Sequence, residues 1–214
     1  MGWHYYWLWY YIYMNKFYRR LRQTNKPDTR VQRTLYFAYG MNTNHNEMAS
    51  RCPDSTFLGT AKMFDHKLSF QGVADYTEAK GYTLHGALWL ISPTDEKALD
   101  VLEGYPNHYT KHIRKVRFCN RDIDVMVYQM VERDNFLTPS RYYEDCLRTG
   151  YAQSRMTTKQ IDKAIQHATE YSIKKQAEFT EIDFYDTQYQ ESIEDLDYTS
   201  SSYVPVRERI KWLR

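Results

Sequence analysis

Residues 36–42 read YFAYGMN, an aromatic run that ends at a glycine and continues into polar residues. The segment Leu35–Tyr39 has the apolar character of a buried strand, and we expect the chain to turn at Gly40. A glycine at this place has two interpretations. Either it closes a strand with a tight turn, or it leaves the main chain bare so that a ligand reaches its N–H groups. The stretch taken alone favours the turn.

The composition limits the classes of protein that fit. The chain has 214 residues, of which 42% are hydrophobic and 26% are charged, as expected for one globular domain with residues left for tails. A formal net charge of +2 is too small to indicate a nucleic-acid partner, and we expect none. Tyrosine is frequent, at 21 residues, and phenols can line a pocket because they pack like core side chains and keep a polar hydroxyl.

The cysteines and histidines favour a reducing compartment without a metal centre. Cys52, Cys119 and Cys146 are widely spaced, and an odd number without a CxxC pair predicts free thiols in the cytoplasm. His108 and His112 would share a face only on a helix, whereas the surrounding sequence looks extended. We therefore interpret them as surface residues, and we expect neither a metal ion nor a cofactor.

The rest of the central sequence predicts short strands and helices. The strand-like segments are Phe57–Phe64, His66–Phe70, Leu84–Ile91, Ile113–Phe118 and Ile123–Val131. The helices are expected near Asn46–Arg51, at Asp95–Leu102 with Ser92 or Thr94 as cap, at Arg141–Arg148 closed by Gly150, and from Thr158 to Ile173.

The two ends of the chain differ from the domain that we expect at residues 34–173. Residues 1–33 are an aromatic and basic extension, whose apolar run Trp3–Met14 is shorter than the roughly 20 residues of a spanning helix. It is either a membrane-surface segment or an upstream extension of a chain that starts at Met14, and the second interpretation is favoured. Residues 174–214 form an acidic tail that we expect to be mobile.

Several short motifs occur in a fixed order between about Thr34 and about Ala168. They are YFAYGMN, Glu47-Met48, Arg51-Cys52-Pro53, Phe57-Leu58-Gly59, Gly86-Ala87-Leu88-Trp89, LDVLEGYPNHY at 99–109 and PSRYY at 139–143. No single motif is decisive, but in this order and spacing they resemble the gamma-glutamylcyclotransferase family, including its AIG2-like relatives. The two terminal extensions lie outside the resemblance.

The resemblance implies a fold, an activity and a set of site residues. The fold is α+β, a small mixed β-barrel with flanking helices, and the activity is metal-independent cyclisation of a small-molecule gamma-glutamyl conjugate, which releases 5-oxoproline and an amine or amino acid. The family's catalytic glutamate maps onto Glu103, a substrate-contacting tyrosine maps onto Tyr143, and Tyr109 matches a recurrent aromatic. The family's loop that holds the glutamyl portion, largely with main-chain groups, maps onto Tyr36, Phe37, Ala38, Tyr39, Gly40, Met41 and Asn42.

The chemistry gives reasons for these residue types. The α-amine of a gamma-glutamyl group is protonated near neutral pH, and a carboxylate within hydrogen-bond reach can take the proton. Apolar neighbours would raise the pKa of Glu103 toward that task. The amine then attacks the gamma carbonyl of the same molecule, and N–H groups at residues 39–41 can stabilise the oxyanion. Gly40 would then be small because substrate must reach the main chain.

Met41 departs from the family, which usually has Ser or Thr at this place. A hydroxyl donates and accepts hydrogen bonds, whereas a thioether is only a weak acceptor. If the family relies on the main-chain N–H, Met41 is compatible with an enzyme, which is the leading interpretation. The alternative is a catalytically inactive binding or scaffold protein that has kept the pocket. Glutathione, gamma-glutamyl amino acids, gamma-glutamylamines and biosynthetic intermediates all stay open as substrates.

Overall fold

The computed structural model describes residues 32–132 and 135–194. The expectations about the membrane-surface segment and the upstream extension therefore fall on residues outside the described ones, as does the end of the acidic tail. The chain divides into two compact units, Met1–Ser172 and Ile173–Arg214. The barrel and the site both lie in the first unit.

Within the described residues, five strands close into a barrel. They are β1 (Thr34–Ala38), β2 (Thr56–Phe70), β3 (Ala74–Ile91), β4 (Tyr109–Phe118) and β5 (Arg121–Met130). Their order around the barrel is β1-β3-β2-β4-β5. The pairing of β1 with β5 is parallel, and the other pairings are antiparallel. The prediction of an α+β fold with a small mixed barrel is confirmed.

The helices of the described chain flank this barrel, and polar caps mark where three of them begin. They are α1 (His45–Arg51), α2 (Pro93–Leu102), α3 (Arg141–Gln153) and α4 (Lys159–Glu194), and a 3-10 turn at Met41–Thr43 precedes α1. Asn44, Ser92 and Ser140 each accept a hydrogen bond from a backbone N–H in the first turn of α1, α2 and α3. Of the two predicted caps of α2, Ser92 is the one that forms.

The strands are longer than their apolar segments predict. The predicted break in β2 is a bulge between Phe64 and His66, where Asp65 has a φ of 58° and the strand continues on either side. β3 begins at Ala74 rather than at Leu84. Its first three residues are buried, but residues 77–83 are mostly polar and partly or fully exposed, so they give no continuous hydrophobic signal.

Two helix ends also differ from prediction. α3 continues past Gly150, because this glycine packs against the loop before α1 instead of closing the helix; a Cβ there would lie 2.4 Å from the backbone N of Asn44. α4 continues past Ile173 to Glu194, so part of the expected mobile tail is helical. The boundary of the domain at residue 173 remains a prediction.

Two buried clusters lie on opposite faces of β1, since successive side chains of a strand point to opposite sides. Phe37 and Tyr39 belong to a cluster with residues of α3 and α4, such as Leu147 and Ile161. The other cluster contains Tyr36, Ala38, Met48, Trp89, Leu99 and Tyr128 and includes side chains from α1 and α2. Through this packing β1 carries the loop at Gly40 between the two sets of helices.

Two further expectations concern the cysteines and the membrane. Cys52, Cys119 and Cys146 are free thiols, as predicted, and Cys52 is buried. None of the helices in the described part of the chain combines the length and the apolar character that crossing a bilayer requires.

Candidate active site

A cavity of about 310 Å³ lies beside the loop that follows β1. Its size falls at the lower end of the range that small-molecule sites occupy. It is lined by Tyr36, Tyr39, Gly40, Met41, Asn42, Arg51, Val73, Ala74, Leu102, Glu103, Tyr109, Tyr128 and Tyr143. The structure thus brings together all the predicted site residues except Phe37 and Ala38.

Phe37 and Ala38 lie away from the cavity. Both side chains are buried in the hydrophobic clusters on either side of β1. The carbonyl oxygen of Ala38 would lie 2.4 Å from a Cβ at Gly86, so β1 and β3 approach closely here. Neither residue lines the cavity, and their predicted contact with substrate stays a prediction.

Glu103 is placed by the end of α2. Its backbone N–H donates to the carbonyl of Leu99 at 2.8 Å, and the next residue turns the chain away from the helix. That residue is Gly104, whose φ is 61°, and a Cβ on it would meet the ring of His108 at 2.6 Å. A glycine is required there by both conformation and space, and it directs the Glu103 side chain to the cavity.

The position of α2 is fixed by a polar network on its outer turn. The Nζ of Lys111 on β4 contacts Glu96 at 2.7 Å and Asp100 at 2.9 Å. The hydroxyl of Tyr128 on β5 donates to Asp100 at 2.6 Å. Because these contacts tie the helix to two strands, Glu103 is held at a fixed distance from the barrel.

Glu103 is a partly buried carboxyl group with one side-chain donor. The Nδ2 of Asn42 donates to its Oε1 at 3.0 Å. Burial raises the pKa of Glu103 from 4.5 to about 7, against the opposing effects of the Arg51 charge and of the Asn42 hydrogen bond. A carboxyl group with this pKa exchanges its proton in the neutral range, as a general base requires.

Sequence reasoning assigned no role to Arg51, which lines the cavity from the end of α1. Its Nη1 donates to Asn42 Oδ1 at 2.7 Å, and its Nη2 contacts Met41 Sδ at 3.1 Å. The same Nη2 forms an ion pair with Glu47 at 2.7 Å, one turn earlier on the helix. The available signals were the Arg51-Cys52-Pro53 motif and the spacing from Glu47, but neither indicates a contact with the loop.

Tyr143 lines the cavity, and its hydroxyl oxygen is an acceptor for backbone N–H groups. The hydroxyl oxygen accepts the backbone N–H of Ala74 at 3.1 Å and also that of Met41. Since a phenol oxygen has two acceptor positions, both are taken, and the O–H proton is left to point elsewhere. Burial raises the pKa of Tyr143 to about 12, so the proton stays on the oxygen at neutral pH.

The other phenols of the cavity have complementary roles. The hydroxyl of Tyr109 donates to the carbonyl of Ala74 at 2.9 Å, which leaves its oxygen as an acceptor. Tyr36 accepts from Asn42 Nδ2 at 3.0 Å. Tyr128, which sequence reasoning missed, lines the cavity while its hydroxyl holds α2. Burial raises the pKa of Tyr36, Tyr109 and Tyr128, so these side chains are neutral.

Gly40 is needed for space and not for a special backbone conformation. Its φ is −99°, which other residues adopt. A Cβ at this position would lie 3.0 Å from the hydroxyl oxygen of Tyr143 and 3.0 Å from the Cβ of Ala74. Tyr143 and Ala74 therefore pack against the bare main chain of Gly40, and the approach of a ligand to its N–H group stays a prediction.

The fold and the cavity define a small mixed-barrel protein with one carboxyl group in a pocket of phenols. The sequence matches the family described as gamma-glutamyl cyclotransferase, AIG2-like, over residues 36–145. The chain belongs to this family, and the resemblance noted in the sequence is confirmed. No curated protein sequence matches the chain significantly.

Solved structures of the same fold include proteins with and without a stated activity. One is a gamma-glutamyl cyclotransferase, with 20% identity and a TM-score of 0.54 over 84% of this chain and 99% of that chain. An uncharacterised protein from Homo sapiens has 19% identity and a TM-score of 0.54 over 85% and 99%. YkqA from Bacillus subtilis has 19% identity and a TM-score of 0.55 over 64% and 54%. At these identities the likeness establishes the fold, and function must be argued from the site.

Proposed function

We propose that the protein is a gamma-glutamylcyclotransferase-like enzyme that converts a gamma-glutamyl conjugate into 5-oxoproline and a free amine or amino acid. The observation that carries the proposal is the Glu103 carboxyl group, partly buried at the cavity, held by Asn42 and with a pKa of about 7. Family membership and the likeness to a solved gamma-glutamyl cyclotransferase support it.

Glu103 acts first as a base. The substrate binds with its glutamyl chain folded, and its α-ammonium group faces the carboxylate and the acceptor oxygen of Tyr109. The nitrogen loses a proton to Glu103 and becomes a nucleophile. When the pKa of a base lies near the working pH, a large fraction of the base is ionised and free to accept a proton. The same pKa makes the carboxylate basic enough to take the proton from the substrate.

Ring closure follows within the substrate. The α-nitrogen forms a bond to the gamma carbonyl carbon, and the electron pair of the C=O bond moves to its oxygen. The N–H of Gly40 and the O–H of Tyr143 are the donors that we assign to this oxyanion; one such donor contributes roughly 3 kcal/mol in other enzymes. Holding the substrate folded removes up to about 7–11 kcal/mol of the barrier through orientation.

Glu103 then acts as an acid. The oxyanion re-forms the carbonyl, the bond from the gamma carbon to the leaving nitrogen breaks, and the Glu103 proton passes to that nitrogen. As the lactam forms, its nitrogen gives its second proton to the Glu103 carboxylate. Glu103 passes this proton to the departing amine, which leaves as an ammonium ion, so Glu103 ends the cycle as a carboxylate. Every step uses groups of this chain and of the substrate, and we expect turnover to survive chelation by EDTA.

The second candidate is a protein that binds a glutamyl ligand without converting it. Met41 motivates this alternative, because its thioether contacts Arg51 at 3.1 Å where relatives usually have a hydroxyl. The proposed mechanism uses the main-chain donor of the loop and therefore does not need that hydroxyl. The free cysteines support a cytoplasmic location for either candidate.

A substrate panel tests the proposal. Purified protein is incubated with glutathione, gamma-glutamyl amino acids and gamma-glutamylamines, and 5-oxoproline is measured by mass spectrometry. Product from at least one conjugate, lost in Glu103→Gln, is the expected result. Calorimetric binding of 5-oxoproline without product from any conjugate would favour the second candidate instead.

A further inference from the structure

We propose that Arg51 is a positioning residue that fixes the orientation of the Asn42 amide and, through it, the place of the Glu103 carboxylate. The inference rests on the proposed function in one respect, namely that Glu103 is the base. Three contacts carry it: Arg51 Nη1 to Asn42 Oδ1 at 2.7 Å, Asn42 Nδ2 to Glu103 Oε1 at 3.0 Å, and Asn42 Nδ2 to Tyr36 Oη at 3.0 Å.

An asparagine amide has two nearly isosteric ends of opposite character. Its oxygen only accepts hydrogen bonds, and its nitrogen only donates them. A guanidinium group is a donor without acceptor capacity, so the amide end that faces Arg51 must be the oxygen. The nitrogen of Asn42 must then face Glu103. A flipped amide would set its oxygen against the carboxylate and its nitrogen against the cation, and both contacts would be repulsive.

Arg51 is itself held so that it can impose this choice. Glu47 pairs with its Nη2 at 2.7 Å, and Met41 Sδ lies 3.1 Å from the same nitrogen. With Nη2 held by these two contacts, the other terminal nitrogen, Nη1, points to Asn42. A lysine could supply the charge but not two donors in a fixed plane. Met41, the residue that departs from the family, therefore helps to hold the guanidinium group of Arg51 in position.

The charge of Arg51 also acts on Glu103 directly. It lowers the pKa of the carboxyl group against the larger opposing effect of burial. The other titratable groups that face Glu103 are phenols, which burial keeps neutral: Tyr36, Tyr39, Tyr109, Tyr128 and Tyr143. Further titratable groups act on those phenols: Asp75, Asp100, Cys52 and Cys146. Among the described residues, Arg51 is therefore the cation that favours the ionised form of the base, against the larger effect of burial.

The test compares Arg51→Met and Arg51→Lys with a matched control, Arg148→Met. Arg148 also pairs with a glutamate one turn earlier, Glu144 at 2.8 Å, but it lies outside the cavity. The carboxyl group of Glu103 is titrated by NMR in protein labelled with carbon-13 glutamate, and Glu103→Gln assigns its resonance. The side-chain amide of Asn42 is followed in the same titration by its nitrogen-15 shift.

In the wild type we expect a midpoint near 7 that the Asn42 amide resonance follows. Arg51→Met should raise the midpoint by on the order of one pH unit, as loss of a nearby opposite charge does. Arg51→Lys should keep the midpoint closer to 7 with the Asn42 resonance still following it, since an ammonium group is also a donor without acceptor capacity. Arg148→Met should change neither. The acidic limb of the rate profile should move with the midpoint.

An unchanged midpoint in Arg51→Met, or an equal rise in Arg148→Met, overturns the proposal. Should Arg51→Met fail to fold, Arg51→Gln decides, since a glutamine has no charge and its amide accepts as well as donates hydrogen bonds. A Glu103 midpoint that stays near 7 in that variant contradicts the role of Arg51. A wild type that forms no 5-oxoproline rejects the proposed function alone. The two titrations need no turnover and would still decide the role of Arg51.

Discussion

Asn42 and Glu103 are 61 positions apart in the chain, and the amide of one donates to the carboxylate of the other at 3.0 Å. The bond joins the loop after β1 to the end of α2. The loop supplies the bare main chain of the cavity, and the helix end supplies its acid. Substrate position and base position are therefore coupled, because a movement of the loop moves the donor that holds the base.

Replacing Glu103 with Gln tests the assignment of the base. The amide keeps the shape of the side chain but cannot take a proton, so we expect turnover to fall by at least about 10²-fold, the usual contribution of a positioned acid–base group. Glu144→Gln, on α3 and outside the cavity, is the control and should keep its rate. The rate of 5-oxoproline formation is the measurement, and turnover near the wild-type rate in Glu103→Gln would remove this residue from its role.

The same substitution should change how stability depends on pH. Burial raises the pKa of Glu103 to about 7 in the folded protein, from 4.5 when exposed, so the folded state holds the proton more tightly between these values. Stability of the wild type then falls as pH rises from 4.5 to about 7 and levels off above it. Relative to Glu103→Gln the loss should amount to about 3 kcal/mol, at about 1.4 kcal/mol for each unit by which the folded pKa exceeds 4.5.

Urea unfolding of both proteins at intervals between pH 4 and pH 8 measures this difference. The two curves should be closest at the acidic end, where Glu103 is protonated in both the folded and the unfolded chain. A constant difference across the range would mean that Glu103 ionises as an exposed carboxyl group does.

The rate should follow the ionisation of the same group. With the base protonated below its pKa, we expect kcat/KM to drop about tenfold for each pH unit below about 7. The profile is measured with the best conjugate of the panel at substrate concentrations below KM. An acidic limb centred near 4.5 would show that the active form does not depend on a carboxyl group in this environment.

Residues with a local signature could be found from the sequence, and residues that act through tertiary contact could not. Glu103 stands before a glycine at a helix end, and Tyr109 and Tyr143 stand in motifs with recognisable order, so the resemblance located them. Arg51 and Tyr128 carry no such mark. Their contribution depends on α1 placing its last turn over the loop and on β5 passing behind α2, which no spacing along the chain encodes.

The fold shows the same division. Apolar periodicity located the barrel strands wherever they are buried, but it missed the polar half of β3 and read the bulge at Asp65 as a break. It also assigned Gly150 to a helix end, since a glycine after a helical pattern usually closes it. The physical reason for this glycine is a neighbour that lies far away in sequence.

Tyr143→Phe tests the oriented hydroxyl. The substitution removes the acceptor of the Ala74 and Met41 N–H groups. It also removes the hydroxyl that we assign as a donor to the oxyanion. We expect kcat to fall by about 10²-fold, as for loss of an oxyanion donor, and unfolding free energy to fall by about 1–3 kcal/mol, because buried N–H groups lose their partner.

The neighbouring Tyr142→Phe is the matched control. The Tyr142 side chain is 71% exposed, so its hydroxyl is solvated and the variant should match the wild type in rate and stability. Steady-state kinetics and urea unfolding of the two variants separate the roles. If Tyr143→Phe were as stable as the wild type and kept its kcat, the hydroxyl would be neither an oxyanion donor nor a needed acceptor of the backbone N–H groups.

Gly150→Ala tests whether α3 supports the loop of the cavity. Alanine inside a helix ordinarily stabilises it by about 1 kcal/mol relative to glycine. Here the added Cβ would meet backbone atoms, 2.4 Å from Asn44 N and 2.6 Å from Thr43 C, which cannot move as a flexible side chain would. We expect the overlap to dominate and to lower the unfolding free energy by about 1–3 kcal/mol.

A shift of Thr43 and Asn44 should also lower the reaction rate, because these residues directly follow Asn42, whose amide donates to Glu103. We therefore expect kcat to fall in Gly150→Ala even at temperatures where the protein stays folded, as checked by circular dichroism in the assay buffer. Thr149→Ala, at the exposed preceding position of the same helix, should leave kcat unchanged. A Gly150→Ala protein that melts higher than the wild type would show that α3 and the loop can separate without strain, and the close packing of the two segments would then have no part in holding the base.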